Sequence, residues 1–225
     1  MSKFDLKTVY HEGRPLSWSA ISAFEWNKAQ WYKKYVLKEL PEDTPELKFG
    51  KYIDERVQKE KKFLPELIRY PIMQHEMRTV WNGIPLIGYS DQYRPPFKDL
   101  FQGMIVDSKN PILAIRDLKT GKLSKPWDQK RADDTGQLTM YLFMLYLMDR
   151  SINVAGAELY IDWLPTHIKD GAIALVEPVK VQTFKTQRSM TEILKFGQRI
   201  ESTWAAMEEY ASREVGSVVH SREDW

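Results

Sequence analysis

Four Asp-x-Lys tripeptides occur in the chain: Asp5-Leu-Lys7, Asp107-Ser-Lys109, Asp117-Leu-Lys119 and Asp128-Gln-Lys130. Residues two apart on a strand share a face, so each could set a carboxylate beside an ammonium. Only Asp117-Leu-Lys119 ends an apolar run, Ile112-Leu-Ala-Ile115, whose two apolar faces mark a strand buried in a sheet. Burying a lone carboxylate is costly or shifts its ionisation, so Asp117 needs a cation, solvent or a metal nearby. A strand end that surfaces into water would meet the same need.

A second carboxylate stands in Leu86-Ile-Gly-Tyr-Ser-Asp91, where Ile87, Tyr89 and Asp91 share one face of a predicted strand and Gly88 admits a neighbouring backbone. Asp91 is then expected beside Asp117, unless it caps its own turn at a hairpin end. Two such carboxylates and the carbonyl of Leu118 form a hard-oxygen site suited to Mg²⁺ or Mn²⁺, which keep several waters and accept phosphate oxygens as further ligands.

Composition narrows the choices. The 225 residues contain no cysteine, which excludes disulfides, cysteine-held zinc, iron–sulfur clusters and a thiol nucleophile. The four histidines (His11, His75, His167, His220) lack metal-ligand spacing, and neither a Gly-rich phosphate loop nor a Ser/His/Asp arrangement is present. Net charge is +2, so contact with a polyanion must come from local patches. Two exist, over 116–131 and 48–62, each with six cations; both could equally be solvated faces. No secretory signal is read at the start, and the longest nearly apolar run, Leu138 to Met148, is too short for a membrane span. An intracellular, cytoplasmic protein without a membrane partner is expected.

Around the site, the pattern predicts a first helix over Ser19–Leu37, opened by Ser17 and Ser19, and a second over Glu46–Lys62. An antiparallel meander follows from Ile68 to Asp117, with turns at Asn82-Gly83, Pro95-Pro96 and Asp107 to Pro111. A polar loop over Thr120–Thr135 precedes a helix to Asp149 that is apolar nearly all round and so deeply packed. Strands are expected over Ala157–Leu164 and Ala172–Val181, and Ser189-x-x-Glu192 forms a capping box for a last helix to Arg213. The expected whole is one domain, 1–225: helices over 16–62, a sheet core over 68–182 and a closing helix over 187–213.

In this order Gly88-x-x-Asp91, Asp117-x-Lys119-Thr-Gly121 and Gln137-x-x-x-Tyr141 resemble the motifs of RecB-type nucleases of the PD-(D/E)xK superfamily. Leu16-Ser-Trp-Ser19 with Phe24 and Trp31-Tyr32-Lys-Lys-Tyr35 resembles that family's opening helix, and Phe49-Gly50 its next segment. The likeness covers about residues 16–165. It implies an α/β fold with a restriction-endonuclease-like core, a central mixed β-sheet flanked by helices. It further implies a metal-dependent hydrolase acting on single- or double-stranded DNA, an exonuclease before an endonuclease, in bacterial or phage repair or recombination.

By the same resemblance Asp91, Asp117 and Lys119 are catalytic. Asp91, Asp117 and the Leu118 carbonyl ligate Mg²⁺ or Mn²⁺, Lys119 orients or activates the attacking water, and Gln137 and Tyr141 contact nucleic acid. Lys122, Lys125, Lys130 and Arg131 would hold flanking phosphates. Trp127 either stacks on a base or anchors its loop on the sheet. Where many members carry a histidine four residues after the glycine, this chain has Gly50-Lys-Tyr-Ile-Asp54, so Asp54 is either a substitute ligand or an ordinary helix residue; Glu55 and Glu76 are weaker substitutes. Relatives with an iron–sulfur cluster, the CRISPR-associated ones among them, use four cysteines, one near the position of Asn27. No such cluster can form in this chain, so either packing through Trp26 and Trp31 compensates or the chain represents a cluster-free branch. No helicase motor is encoded, so processivity would come from a homo-oligomer or a recombination partner. The reading from a different class is a catalytically inactive nucleic-acid-binding or assembly subunit that keeps the fold.

Overall fold

The computed structural model describes residues 4–96 and 112–220, with side chains to residue 215. Six helices, α1 (Trp18–Trp26), α2 (Lys28–Trp31), α3 (Pro45–Lys59), α4 (Gln129–Asp134), α5 (Gly136–Met148) and α6 (Met190–His220), flank one mixed sheet. Its seven strands are β1 (Leu16–Ser17), β2 (Ile72–Trp81), β3 (Ile84–Arg94), β4 (Ala114–Lys122), β5 (Glu158–Lys169), β6 (Ala172–Leu175) and β7 (Gln182–Thr186).

The expected meander is present as antiparallel β2, β3 and β4. Asn82 and Gly83, both at positive φ, make the tight turn between the first two, as Asn-Gly favours. The turn expected at Asp107 to Pro111 lies outside the described residues. β5 runs parallel to β4 and β1 parallel to β3, which makes the sheet mixed. Along its other edge β5 pairs with β7 and then β6, both antiparallel. The strand expected over Ala172–Val181 ends with β6 at Leu175, and β7 follows beyond that range. Pro178 between them fixes φ and offers no N–H to a ladder.

Helix α5 lies against β2 and β3, buried from Gly136 to Leu145, and α6 packs on α5. The capping box forms as expected: Ser189 N–H donates to Glu192 Oε2 at 2.7 Å and Glu192 N–H to Ser189 Oγ at 3.2 Å. On the opposite face α3 crosses β4 and β6 over a smaller cluster of Ile53, Val57, Leu64, Leu67 and Leu164. Thr44 caps α3 and Pro45 fills its first turn, where a missing N–H costs nothing.

Two expected segments differ. The first helix breaks at Asn27, whose extended backbone (φ −155°) and side-chain oxygen, accepting from Gln30 N–H at 3.0 Å, start α2; a π-turn over Tyr32–Val36 follows. Only one of the two tryptophans expected to pack does so. Trp31 is buried, donates to the Tyr10 hydroxyl at 3.1 Å and meets Phe24 edge-on at 5.0 Å, whereas Trp26 is 88% exposed. Within the expected polar loop β4 runs on to Lys122, and α4 forms because Asp128 caps it (Oδ1 to Arg131 N–H, 2.7 Å) and Gln129 reaches Asp133 one turn later.

Candidate active site

The site occupies a gap in the ladder. On one edge of β3, β1 pairs with Leu86 and Ile87 and β4 with Gln92, Tyr93 and Arg94, so residues 88–91 lie between the two strands. Asp91 fills that gap with its side chain: Oδ2 accepts the Leu118 N–H at 2.6 Å, a bond that a backbone carbonyl would otherwise make. Carried one step on from Gln92↔Arg116, the register sets Asp91 opposite Asp117, as the alternation of the two strands led one to expect. A strand residue sends its N–H and its carbonyl to the same side, so the Leu118 carbonyl also faces this gap.

On the other edge of β3 the register places Gln74 of β2 opposite Asp91. Gln74 sits in the left-handed region (φ 49°), which costs a non-glycine residue about 1–3 kcal/mol and is held only where the surroundings enforce it. Here they use it. Its carboxamide donates to Asp54 (3.2 Å to Oδ2) and to Asp91 Oδ1 (3.4 Å), bridging α3 to β3. Asp54 is thus half-buried against the site rather than exposed on its helix, and Gln58 donates to it from the next turn at 3.0 Å. Nothing in the sequence marked Gln74, because a glutamine in a strand has no signature and its role depends on an unusual backbone.

Asp117 is buried, 1% exposed, with Lys119 Nζ 2.5 Å from its Oδ2 and Gln137 Nε2 donating to its Oδ1 at 3.0 Å. The contact with Lys119 is an ion pair in poor alignment, and Oδ2 has no directed hydrogen bond. Gln137 Nε2 also donates to the Tyr141 hydroxyl at 2.7 Å, so the helical pair acts inward. Tyr141 is 4% exposed, and its ring packs across β3 where Gly88 has no side chain; a Cβ there would lie 2.9 Å from the ring. What Gly88 admits is this aromatic ring and not the backbone expected from sequence. A cavity of about 500 Å³ opens over the group, lined by Asp54, Asp91, Asp117, Lys119, Thr120 and Gln137 among others.

The charges do not balance. Asp54, Asp91 and Asp117 face a single ammonium, so full ionisation would leave two negative charges uncompensated in a poorly solvated place. Burial, with Asp117 beside it, pushes Asp91 up to about 8 despite Lys119 and the Leu118 N–H. Burial raises Asp117 too, against the pull of Lys119, and raises Asp54. Burial alone would lower Lys119, yet Asp117 and Asp91 overcome it and hold the amine charged. Among the described residues no three metal-ligating side chains form a closed cage. The site is instead an open pair, Asp91 and Asp117, with Asp54 one carboxamide away. A divalent cation has the charge that this donor set lacks, and hard oxygens are the donors Mg²⁺ and Mn²⁺ take.

The remaining expected residues lie outside the cavity lining. Lys122 pairs with Glu46 at 3.1 Å, Lys130 with Asp134 along α4, and Arg131 stacks over the Trp127 ring at 4.2 Å. Trp127 packs against the core and anchors its loop. Lys125 lies exposed in the turn after β4. Glu55 pairs with Lys59, and Glu76 with Arg78 and the Tyr89 hydroxyl, so neither joins the site.

No protein-family profile matches the chain, and no curated protein sequence does. Solved structures do. A crystal structure from Eubacterium rectale, described as a "putative exonuclease", superposes with a TM-score of 0.55 at 12% identity, over 95% of this chain and 88% of that one. A second, of SSO0001, covers 84% of this chain and 70% of that one at 10% identity, but its TM-score of 0.42 is too low to bear on the fold. The first likeness is one of fold, that of a central mixed sheet flanked by helices in this chain. Among the described residues no helix is long and apolar enough to cross a membrane.

Proposed function

We propose that the chain is a divalent-metal-dependent nuclease that hydrolyses DNA phosphodiester bonds, an exonuclease of the RecB type in the PD-(D/E)xK superfamily, serving repair or recombination. One observation carries this. Two carboxylates from different strands, Asp117 buried and Asp91 half-buried, meet across a break in the ladder, with an ammonium against Asp117 and an open cavity above. Asp91, Asp117 and the Leu118 carbonyl would hold Mg²⁺ or Mn²⁺, with Asp54 in reach as a further oxygen donor. When bound, the cation lowers the pKa of a coordinated water and offsets the charge that grows on phosphoryl oxygens.

The chain's own residues supply the rest. Lys119, charged and 28% exposed, can hydrogen-bond an attacking water and stabilise developing negative charge without a bulky guanidinium fork. Gln137 fixes Asp117 through Oδ1 and leaves Oδ2, beside Lys119, without a directed hydrogen bond. Gln74 holds Asp54 and Asp91 together. In this reading Lys122, Lys125, Lys130 and Arg131 lie along the flanking duplex or strand, and a homo-oligomer or partner protein provides processivity.

End-labelled linear and circular DNA, single- and double-stranded, incubated with Mg²⁺, Mn²⁺ or EDTA, tests the reading. Metal-dependent loss of label from linear substrates, with circles intact, is the expected result. A cut circle replaces exonuclease by endonuclease, and no cleavage of any substrate leaves a nucleic-acid-binding subunit. Lys119→Ala should lower the rate by at least about a hundredfold while circular dichroism stays unchanged.

A further inference from the structure

The most exposed large apolar side chains among the described residues, Trp26 (88%) and Leu40 (77%), line the same groove. It has a volume of about 830 Å³ and runs between α1, α2 and the segment 39–41. Trp18 and Ala23 line it too, as do Lys33 and Lys34. Neither lysine has a carboxylate within salt-bridge distance among the described residues; Lys34 leans over the Tyr35 ring at 5.3 Å. The one acid on the lining is Glu39, since neighbouring Glu25 is held by both arms of Arg199 (2.7 and 2.5 Å). The groove therefore combines a bare indole with two lysines that make no salt bridge among the described residues.

Its wall also abuts the start of α5, which carries a residue of the candidate active site. Trp18 packs so closely on Gly136, the first residue of α5, that a Cβ there would lie 2.2 Å from its ring. The next residue, Gln137, donates to Asp117. Gly136 and Gln137 thus stand between the Trp18 wall of the groove and Asp117. Volume agrees as well, falling in the roughly 300–1,000 Å³ typical of ligand sites.

Resting on the nuclease reading, we propose that this groove is a subsite for an unpaired nucleic-acid strand, with Trp26 as the platform on which a base stacks and Lys33 and Lys34 as contacts to its phosphates. Bases offer their faces to an indole only when unpaired, and aromatic platforms beside cations are how single strands are bound without sequence preference. A duplex would keep its bases stacked on one another and gain little from Trp26. The substrate class that follows is single-stranded DNA or RNA, or the frayed end of a duplex.

The test is anisotropy of a fluorescein-labelled oligothymidylate and of a blunt duplex of equal length, in EDTA to prevent cleavage. Trp26→Ala removes a side chain that touches little and should fold normally. It should weaken oligothymidylate binding by about 5- to 150-fold, the range for losing one stacked base, with Trp26→Phe retaining most of the affinity. Replacing both Lys33 and Lys34 by Glu should flatten the log–log salt dependence by about 1.4, or 0.7 for each lost phosphate contact. Duplex affinity should change little in Trp26→Ala. Unchanged oligothymidylate affinity in Trp26→Ala would overturn the proposal and leave the groove to a protein partner. An equal loss for the duplex would overturn the unpaired-strand assignment.

Hydrolysis of bis(p-nitrophenyl) phosphate with Mn²⁺, a diester too small to reach the groove, separates this proposal from the nuclease reading. If wild-type protein cleaves it but Trp26→Ala binds the oligonucleotide as before, only the groove assignment fails. If nothing is cleaved yet Trp26→Ala loses affinity, the nuclease reading fails and the strand subsite stands.

Discussion

Arg116 and Asp117 are neighbours on β4, both almost wholly buried, and they end in opposite electrostatic situations. Arg116 Nη1 meets both oxygens of Asp162 at 2.7 Å, and Thr183 donates to the same carboxylate at 2.6 Å. Tyr160 and Tyr70 flank the guanidinium at 4.4 and 5.3 Å. That pair is neutral and closed by its own contacts. Asp117 shares one ammonium with two other carboxylates and borders an open cavity. Adjacent positions of one strand thus separate charge used to hold a sheet together from charge left unbalanced. Only the second arrangement gains from a cation arriving from solution.

Breaking the closed pair should have the largest effect on stability. Asp162→Ala strands a buried guanidinium and should cost about 3–5 kcal/mol in denaturant unfolding. Added Mn²⁺ should recover none of it, because nothing there accepts a cation. If the variant is as stable as wild type, Arg116 is better solvated than the geometry indicates.

The open cluster predicts the reverse sign. Asp91 binds its proton more tightly in the folded chain, at about 8, than an unfolded carboxyl near 4 does. Between these values the native state holds more protons than the unfolded one, so the contribution of Asp91 to stability falls as pH rises through about 4 to 8 and is fully favourable only below that window. Asp91→Asn mimics the protonated form and keeps an acceptor for the Leu118 N–H. In metal-free buffer at pH 8 it should be more stable than wild type by about 1–3 kcal/mol, a gap that closes near pH 4. The same substitution should abolish Mn²⁺ binding, measured by calorimetry. Wild-type affinity for Mn²⁺ should itself rise with pH, since the cation must displace that proton.

Gln74 sharpens the contrast from inside the open cluster. Gln74→Ala removes the amide between Asp54 and Asp91 and should cost about 1–3 kcal/mol in thermal unfolding, as for hydrogen bonds to charged groups. Because the lost partner was a donor to carboxylates, Mn²⁺ should recover part of the loss. An identical cost with and without Mn²⁺ would mean that Gln74 is merely structural.

How far the sequence reveals this depends on the range of the interactions. Asp91 opposite Asp117, with Lys119 beside it, was legible because strand alternation is local and a charged residue closing an apolar strand stands out. The capping box at Ser189 and Glu192 was legible for the same reason. The break at Asn27 and the short α4 had readable signals, an Asn and an Asp in capping positions, which the apolar periodicity and the polar composition around them outweighed. Gln74 was not legible at all, because its contacts need a left-handed residue and a helix twenty positions away. Nor was Arg188. Buried without a carboxylate partner in contact among the described residues, it donates to the Ala132 and Thr135 carbonyls and to Thr139 Oγ1, joining α4 to the start of α5 just ahead of Gln137.

The smallest effects should come from the exposed cations of α4, a third case beside the closed pair and the open cluster. Lys130 makes an exposed ion pair with Asp134 one turn along. Such a pair in water contributes about 0.3–0.5 kcal/mol, so Lys130→Ala should barely move the unfolding midpoint. If Lys130 also meets a flanking phosphate, the same substitution should reduce the salt slope of oligonucleotide binding by about 0.7 while leaving the effect of Trp26→Ala intact. Both slope and midpoint unchanged would make the pair a solvated helix face. The nucleic-acid path would then be confined to the groove side of α5.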